Sequence, residues 1–186
     1  MQAMTANARL AAIQLARAKV ALKPVSLDTE TTGLGADAEI VEICVLDHDG
    51  RVLIDTLVRP RNKIPPIVIG IHGITNAMVA TSPTWREVWG DVAAALADRH
   101  VAIYNASFDV RMLRQSNAVH RLRWNLLGAE FFCVMEAYAQ FCGQNRRQKL
   151  EVAGRQCKIK LPNAHRARAD ALLAREVLQH MASCKR

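Results

Sequence analysis

The sequence predicts an α/β domain on a mixed five-stranded sheet, an antiparallel meander continued by alternating helices and strands and flanked by helices. Three observations carry that reading. Short β-branched runs crowd residues 25–58. Two further apolar runs, at 101–104 and 131–133, alternate with stretches of helical character. Carboxylates also stand at the end of an apolar strand, a place where acidic residues are depleted unless something requires them.

The elements follow in chain order. Residues 1–23 are Ala-rich, and Leu10, Ile13, Arg17 and Val20 mark a partial helical stripe. An acid-free, Arg-containing start would suit a transit peptide, yet serine is scarce, so a docked accessory helix is expected. Lys23-Pro24 ends it, which divides the chain into an accessory helix, 1–23, and a main domain, 24–186. Val25 to Glu30 and Glu39 to Leu46 read as strands, and Arg51 to Val58 follows the turn-forming Asp47-His48-Asp49-Gly50. A loop with Pro60, Pro65 and Pro66 leads to Ile71-His72-Gly73-Ile74-Thr75. Ser82-Pro83 predicts a helix start, a cap followed by proline in the first turn, running through Trp85, Val88, Trp89 and Val92 to about Ala97. Val101 to Tyr104 is a short buried strand, and a helix with Phe108, Met112 and Leu113 begins near Ser107. Phe131-Phe132-Cys133 reads as a strand, helices are expected over 134–142 and 148–156, and a long helix from Asn163 to Ala182 closes the chain.

The 186 residues, half of them hydrophobic and under a quarter charged, suffice for one domain with a sizeable core and argue against wholesale disorder. No apolar run approaches the roughly 18 residues of a membrane span, so a soluble, cytoplasmic protein with no membrane partner is expected. Cys44, Cys133, Cys142, Cys157 and Cys184 are odd in number and form no CxxC pair. That argues against a zinc site and a disulfide framework and for a reducing compartment, with the thiols as small buried hydrophobes. The net charge of +8 is unevenly placed: residues 1–24 carry +4, residues 25–143 carry −4, and residues 144–186 carry +8. The basic tail suits a polyanionic partner.

Asp28 and Glu30 occupy positions i and i+2 of a strand, so both side chains point to one face. Either acid alone would fit a strand end fraying into a turn. Held side by side they repel, and a divalent cation is the usual remedy. Thr31-Thr32-Gly33-Leu34 follows as a turn whose backbone can approach a ligand. Asp109 lies in the first turn of a helix, where the macrodipole alone would favour it. Asp170 sits inside the last helix, and His165 precedes it by five residues. Hard oxygen ligands without cysteine suit Mg²⁺ or Mn²⁺. Four carboxylates can hold two such ions about 4 Å apart, the arrangement that stabilises both oxygens of a phosphodiester displacement. A histidine with an ordinary pKa near 6.5 can take a proton from the attacking water.

These segments resemble a known family. Asp28-Thr29-Glu30-Thr31-Thr32-Gly33-Leu34 is similar to the first motif of the DEDDh (DnaQ-like) 3′→5′ exonucleases, whose members include the proofreading epsilon subunit of bacterial DNA polymerase III. Asn105-Ala106-Ser107-Phe108-Asp109 resembles the second motif and His165-Arg166-Ala167-Arg168-Ala169-Asp170-Ala171 the third. Ile71-His72-Gly73-Ile74-Thr75 resembles a family segment beside the substrate end. The matches fall in family order from residue 25 to about 182.

The resemblance implies a ribonuclease H-like fold and two-metal hydrolysis releasing nucleoside 5′-monophosphates from single-stranded ends. It implies that Asp28, Glu30 and Asp170 hold one of two Mg²⁺ or Mn²⁺ ions, that Asp28 with Asp109 holds the other, and that His165 is the general base. Substrate contacts fall to Leu34 as a wedge, Phe108 as a packing surface, the backbone of Thr31, Thr32 and Gly33, and the second-motif residue Asn105. His72 is a substrate-side candidate and equally a packing residue. Many relatives carry an Asp-Thr pair where this chain has Phe132-Cys133, a difference that leaves the four metal-holding acids intact.

DNA is favoured as substrate because the first motif reads as in the proofreading branch. The alternatives are an RNA-trimming enzyme of the ribonuclease T or oligoribonuclease type, and a silent nucleic-acid-binding or polymerase-docking module, whose mark would be a lost acid or histidine. A polymerase partner and a homodimer are both open, and the N-terminal helix is expected to serve packing, dimerisation or docking.

Overall fold

A computed structural model describes residues 2–143, 147–160 and 165–185, with side chains from residue 7 onward. Alternation of side chains along the strands builds the fold. The helix α1 (Gln2–Ala21) precedes three strands, β1 (Val25–Thr31), β2 (Ile40–Leu46) and β3 (Val52–Leu57). The short helices α2 (Pro66–His72) and α3 (Asn76–Val79) lead to α4 (Trp85–Leu96), then β4 (His100–Ile103), α5 (Ala106–Val119) and β5 (Glu130–Cys133). The chain closes with α6 (Val134–Phe141), α7 (Leu150–Gln156) and α8 (Ala167–Ser183).

The strands form one mixed sheet of order β3-β2-β1-β4-β5, with β1–β2 and β2–β3 antiparallel and β1–β4 and β4–β5 parallel. Odd residues of β1 (Val25, Leu27) join Ile43, Val45, Val101 and Ile103 in a core covered by α4 and α5. The opposite parity faces the other way. Ala102 and Tyr104 meet α1, α6 and α8, while Cys44 and Leu46 lie under Ala167 and Ala171 of α8. The sheet therefore divides two apolar layers, and β1 lies at its centre with chain continuation to β2 on one side and β4 on the other. Sites in open α/β sheets form at such a switch point, beyond the carboxyl ends of the parallel strands.

The helix expected over the first residues is present as α1 and docks through Ala12, Ile13 and Ala16, all buried in the α6–α8 layer. Arg17 donates to the carbonyls of Ala182 (2.9 Å) and Cys184 (2.8 Å), closing the C-terminal end of α8, whose last carbonyls lack helical partners. The guanidinium of Arg9 lies 4.0 Å from the centre of the Phe141 ring.

Two boundaries differ from expectation. The α4 cap is Thr84 rather than Ser82, because Glu87 three residues on accepts from the Thr84 backbone N–H (2.6 Å) and hydroxyl (2.7 Å), the pairing of a capping box. Described α8 begins at Ala167, not at Asn163, which lies outside the described residues. Arg166 is extended (φ −137°, ψ 130°) and His165 left-handed (φ 63°), so neither continues a helix.

Candidate active site

Asp28 and Glu30 emerge at the carboxyl end of β1 on the face that α8 covers, opposite Cys44 and Glu42 of β2 in the antiparallel register. Asp170 comes down onto them from the first turn of α8. One carboxylate oxygen from each of Asp28, Glu30 and Asp170 lies within 4.8 Å of the others. Asp109, on α5, approaches from the other face of the sheet. Its Oδ1 accepts from the backbone N–H of Thr29 (3.1 Å) and from the Thr29 hydroxyl (2.8 Å). Asp109 stands outside the three-acid group, yet its charge is the largest electrostatic influence on Asp28 after burial itself. The four acids singled out in the sequence thus converge from both layers on the end of one strand.

Their electrostatics are those of unneutralised charge. Burial, then the charges of Asp109, Asp170, Glu30 and Glu42, holds the Asp28 carboxyl well above the ordinary range. Burial and the neighbouring Asp170, Glu42 and Asp109 push Glu30 up to about 8. Burial raises Asp109 to about 7 against the pull of its two bonds from Thr29. Asp170 is raised by burial to about 6, with His165 drawing it back down. Such a group either binds protons or exchanges them for a cation. An all-oxygen donor set with uncompensated negative charge fits a hard divalent metal ion.

The histidine is set by its turn rather than by helical spacing. His165 lies just before α8 in the left-handed region, and its Nε2 pairs with Glu151 Oε1 of α7 at 2.9 Å. Glu151 was not singled out in the sequence, since nothing in a surface helix position foretells a partner from another segment. Glu42 was also missed, although a charged residue inside the wholly buried strand IVEICVL is a readable signal.

The remaining sequence candidates are dispersed around this group. Thr32 exchanges bonds with Glu39, its backbone N–H donating to the Glu39 carbonyl (2.8 Å) and its Oγ1 accepting the Glu39 N–H (2.9 Å). The Thr31 hydroxyl donates to the Gly33 carbonyl at 2.8 Å, and these bonds fix the turn that presents Leu34, 77% exposed, to solvent. Asn105 is the exposed cap position of α5, where its Oδ1 accepts from Ser107 (3.4 Å), and Phe108 is half-buried under Arg111. His72 is buried, with Nδ1 accepting the Ile74 N–H (3.0 Å) and Nε2 facing the Thr31 carbonyl (3.3 Å). Both ring nitrogens are thereby engaged, and the structure does not bring the His72 ring into the acid group.

Comparison with known proteins gives the family. An exonuclease family model of the RNase T type matches residues 25–178, all but the N-terminal helix and the last few residues. An uncharacterized exonuclease of Escherichia phage 186 is 36% identical over 169 residues, covering 85% of this chain and 87% of that protein. The DNA polymerase III subunit epsilon of Treponema pallidum is 31% identical over 161 residues, covering 84% and 74%. Among solved structures, exonuclease X in complex with 5′ overhanging duplex DNA superposes with a TM-score of 0.65 at 28% identity, covering 84% of this chain and 90% of that one. The nuclease domain of a 3′ exonuclease described as a DEDDh family member shares the fold at 17% identity and a TM-score of 0.69, covering 82% of this chain and 88% of that one. The acid group at the end of β1 thus sits in an α/β scaffold of ribonuclease H-like type, and the chain belongs to the DnaQ/RNase T family of exonucleases.

Proposed function

We propose that this exonuclease degrades single-stranded DNA from its 3′ end, releasing nucleoside 5′-monophosphates in a reaction that requires Mg²⁺ or Mn²⁺. The observation that carries the proposal is the convergence of Asp28, Glu30 and Asp170 within 4.8 Å, with raised pKa values and Asp109 alongside. Asp28, Glu30 and Asp170 would hold one ion, and Asp28 with Asp109 a second. Bound there, two such ions supply Lewis-acid stabilisation of the attacking and leaving oxygens.

The chain's own residues do the rest. His165 takes the proton of the attacking water; its ring is half-exposed, with Nε2 paired to Glu151. Leu34 and Phe108 offer apolar surface to the terminal base, and the Thr31–Gly33 backbone can hydrogen-bond the terminal 3′-hydroxyl. His72 acts through its contact with the Thr31 carbonyl, bracing that backbone. DNA is favoured because exonuclease X, solved with DNA, and the epsilon relative are both similar over more than four-fifths of this chain.

The test is the fate of 5′-labelled single-stranded DNA and RNA of matched sequence, with Mg²⁺, Mn²⁺ or chelator, beside Asp28→Ala. A ladder shortening from the 3′ end, dependent on metal and missing in the variant, is expected, with DNA the faster substrate. Faster loss of RNA would move the enzyme to the RNA-trimming branch. Binding of both strands with no shortening under either metal would leave a nucleic-acid-binding module instead.

A further inference from the structure

Glu42 is a fifth carboxylate at this site, and it sits where electrostatics alone would not put one. It faces Glu30 directly across the β1–β2 register and is only 3% exposed. Its charge adds to the repulsion felt by Asp28, Glu30 and Asp170. A buried charge that worsens its neighbours' repulsion needs a compensating use.

The geometry supplies one. Arg166 Nε donates to Glu42 Oε1 (3.0 Å) and Oε2 (3.1 Å), and Arg166 Nη2 donates to Oε1 as well. The backbone N–H of Ala167, the first residue of α8, donates to Oε2 at 2.8 Å. Both Glu42 oxygens are therefore engaged by donors from the start of α8. Arg166 in turn accepts the Asp170 backbone N–H on its carbonyl (3.0 Å) and follows His165 directly in the chain. One side chain of β2 thus grips the residue adjoining His165 and the helical turn bearing Asp170, across 124 positions of sequence. A forked guanidinium fixes orientation as well as distance, which a lysine could not do.

We propose that Glu42 and Arg166 are the positioning pair of this site, seating His165 and Asp170 against Asp28 and Glu30. The inference rests on the reading of those acids as metal holders. Arg166 is the more exposed partner, so Arg166→Gln is the first variant and Glu42→Gln the second. Mn²⁺ binding is read by the loss of the free-ion EPR signal, and kcat and KM are read on single-stranded DNA. Both are measured at a temperature where circular dichroism shows each variant folded.

Mn²⁺ affinity and kcat should each fall about ten- to a hundredfold, the usual effect of losing a group that orients metal-holding side chains, with KM within about twofold. Arg166→Lys should recover only part of the loss. Folded variants with wild-type Mn²⁺ affinity and kcat, or with a lowered Tm alone, would overturn the pairing's role and leave the exonuclease reading standing. A wild-type protein that neither binds Mn²⁺ nor shortens DNA would overturn that reading itself, and the positioning role with it.

Discussion

Two groups of side chains among the described residues have the spacing of a metal site, and of these two only one has the electrostatics of one. Among the described residues, Asp28, Glu30 and Asp170 form one close set and Asp47, His48 and Asp49 the other. In the second set Asp47 is met by Arg99 at 2.6 Å, by Arg51 at 2.7 Å and by the backbone and ring of His48. Burial opposes its charge, but those partners prevail and hold the Asp47 carboxyl well below the ordinary range. At the end of β1 no cation among the described residues comes as close to Asp28, and burial and like charge drive its pKa the other way. Proximity of donors is thus a poor guide by itself. What separates a site from a turn is charge left without a partner.

The largest effect that would break the comparison is on turnover. Asp28→Ala, Glu30→Ala, Asp109→Ala or Asp170→Ala should each lower the rate of DNA shortening by on the order of a thousandfold while leaving the fold intact. Asp47→Ala should leave the rate within about twofold and lower Tm by roughly 5 °C instead. Equal losses of activity at both places would erase the distinction. Next in size is metal linkage: Mn²⁺ should raise the Tm of the wild type and of Asp47→Ala, and should leave Asp28→Ala unmoved, in a thermal-shift assay.

A third contrast lies in pH, and the two groups run in opposite directions. Folding raises Glu30 from 4.5 to about 8 and Asp170 from 3.8 to about 6, so the folded chain keeps protons that the unfolded chain has released. That stabilisation is complete below the unfolded values and is lost as pH climbs through about 6 and then about 8. Asp47, whose pKa falls on folding, contributes above its unfolded value and loses that contribution in acid. Denaturation in chelator should therefore show stability falling between pH 5 and pH 8, and Glu30→Gln should flatten the fall; an unchanged slope would place the protons elsewhere. The smallest effect expected is that of His165→Ala, whose deficit should shrink toward high pH, where hydroxide replaces the missing base. A deficit constant with pH would remove His165 from that role.

Much of this was legible in the sequence, for reasons that differ by element. The strands were readable because β1 and β2 are short, apolar and bounded by turns, and the period of two placed Asp28 and Glu30 on one side without any structure. Ser82-Pro83 is the stronger local signal for a helix start than Thr84, whose reciprocal partner, Glu87, lies three residues on. The pairing of Glu42 with Arg166 and of Glu151 with His165 was not readable, since each joins segments that only the closed sheet brings together. His165 shows the limit most clearly. Five residues along a helix would carry it well away from the face of Asp170, and a left-handed turn, which no residue pattern announced, removes that obstacle.

The division of the sheet into two faces has one more consequence. Asp28 and Glu30 arrive on β1, Asp109 on a helix of one layer, and Asp170 with His165 on the other layer. A cut in the α3–α4 connection would yield one fragment with the first two acids and another with the rest, neither holding a full set. On the proposed assignment, hydrolysis by this chain would be a coincidence signal, given only when both halves have found each other and both faces of the sheet are covered.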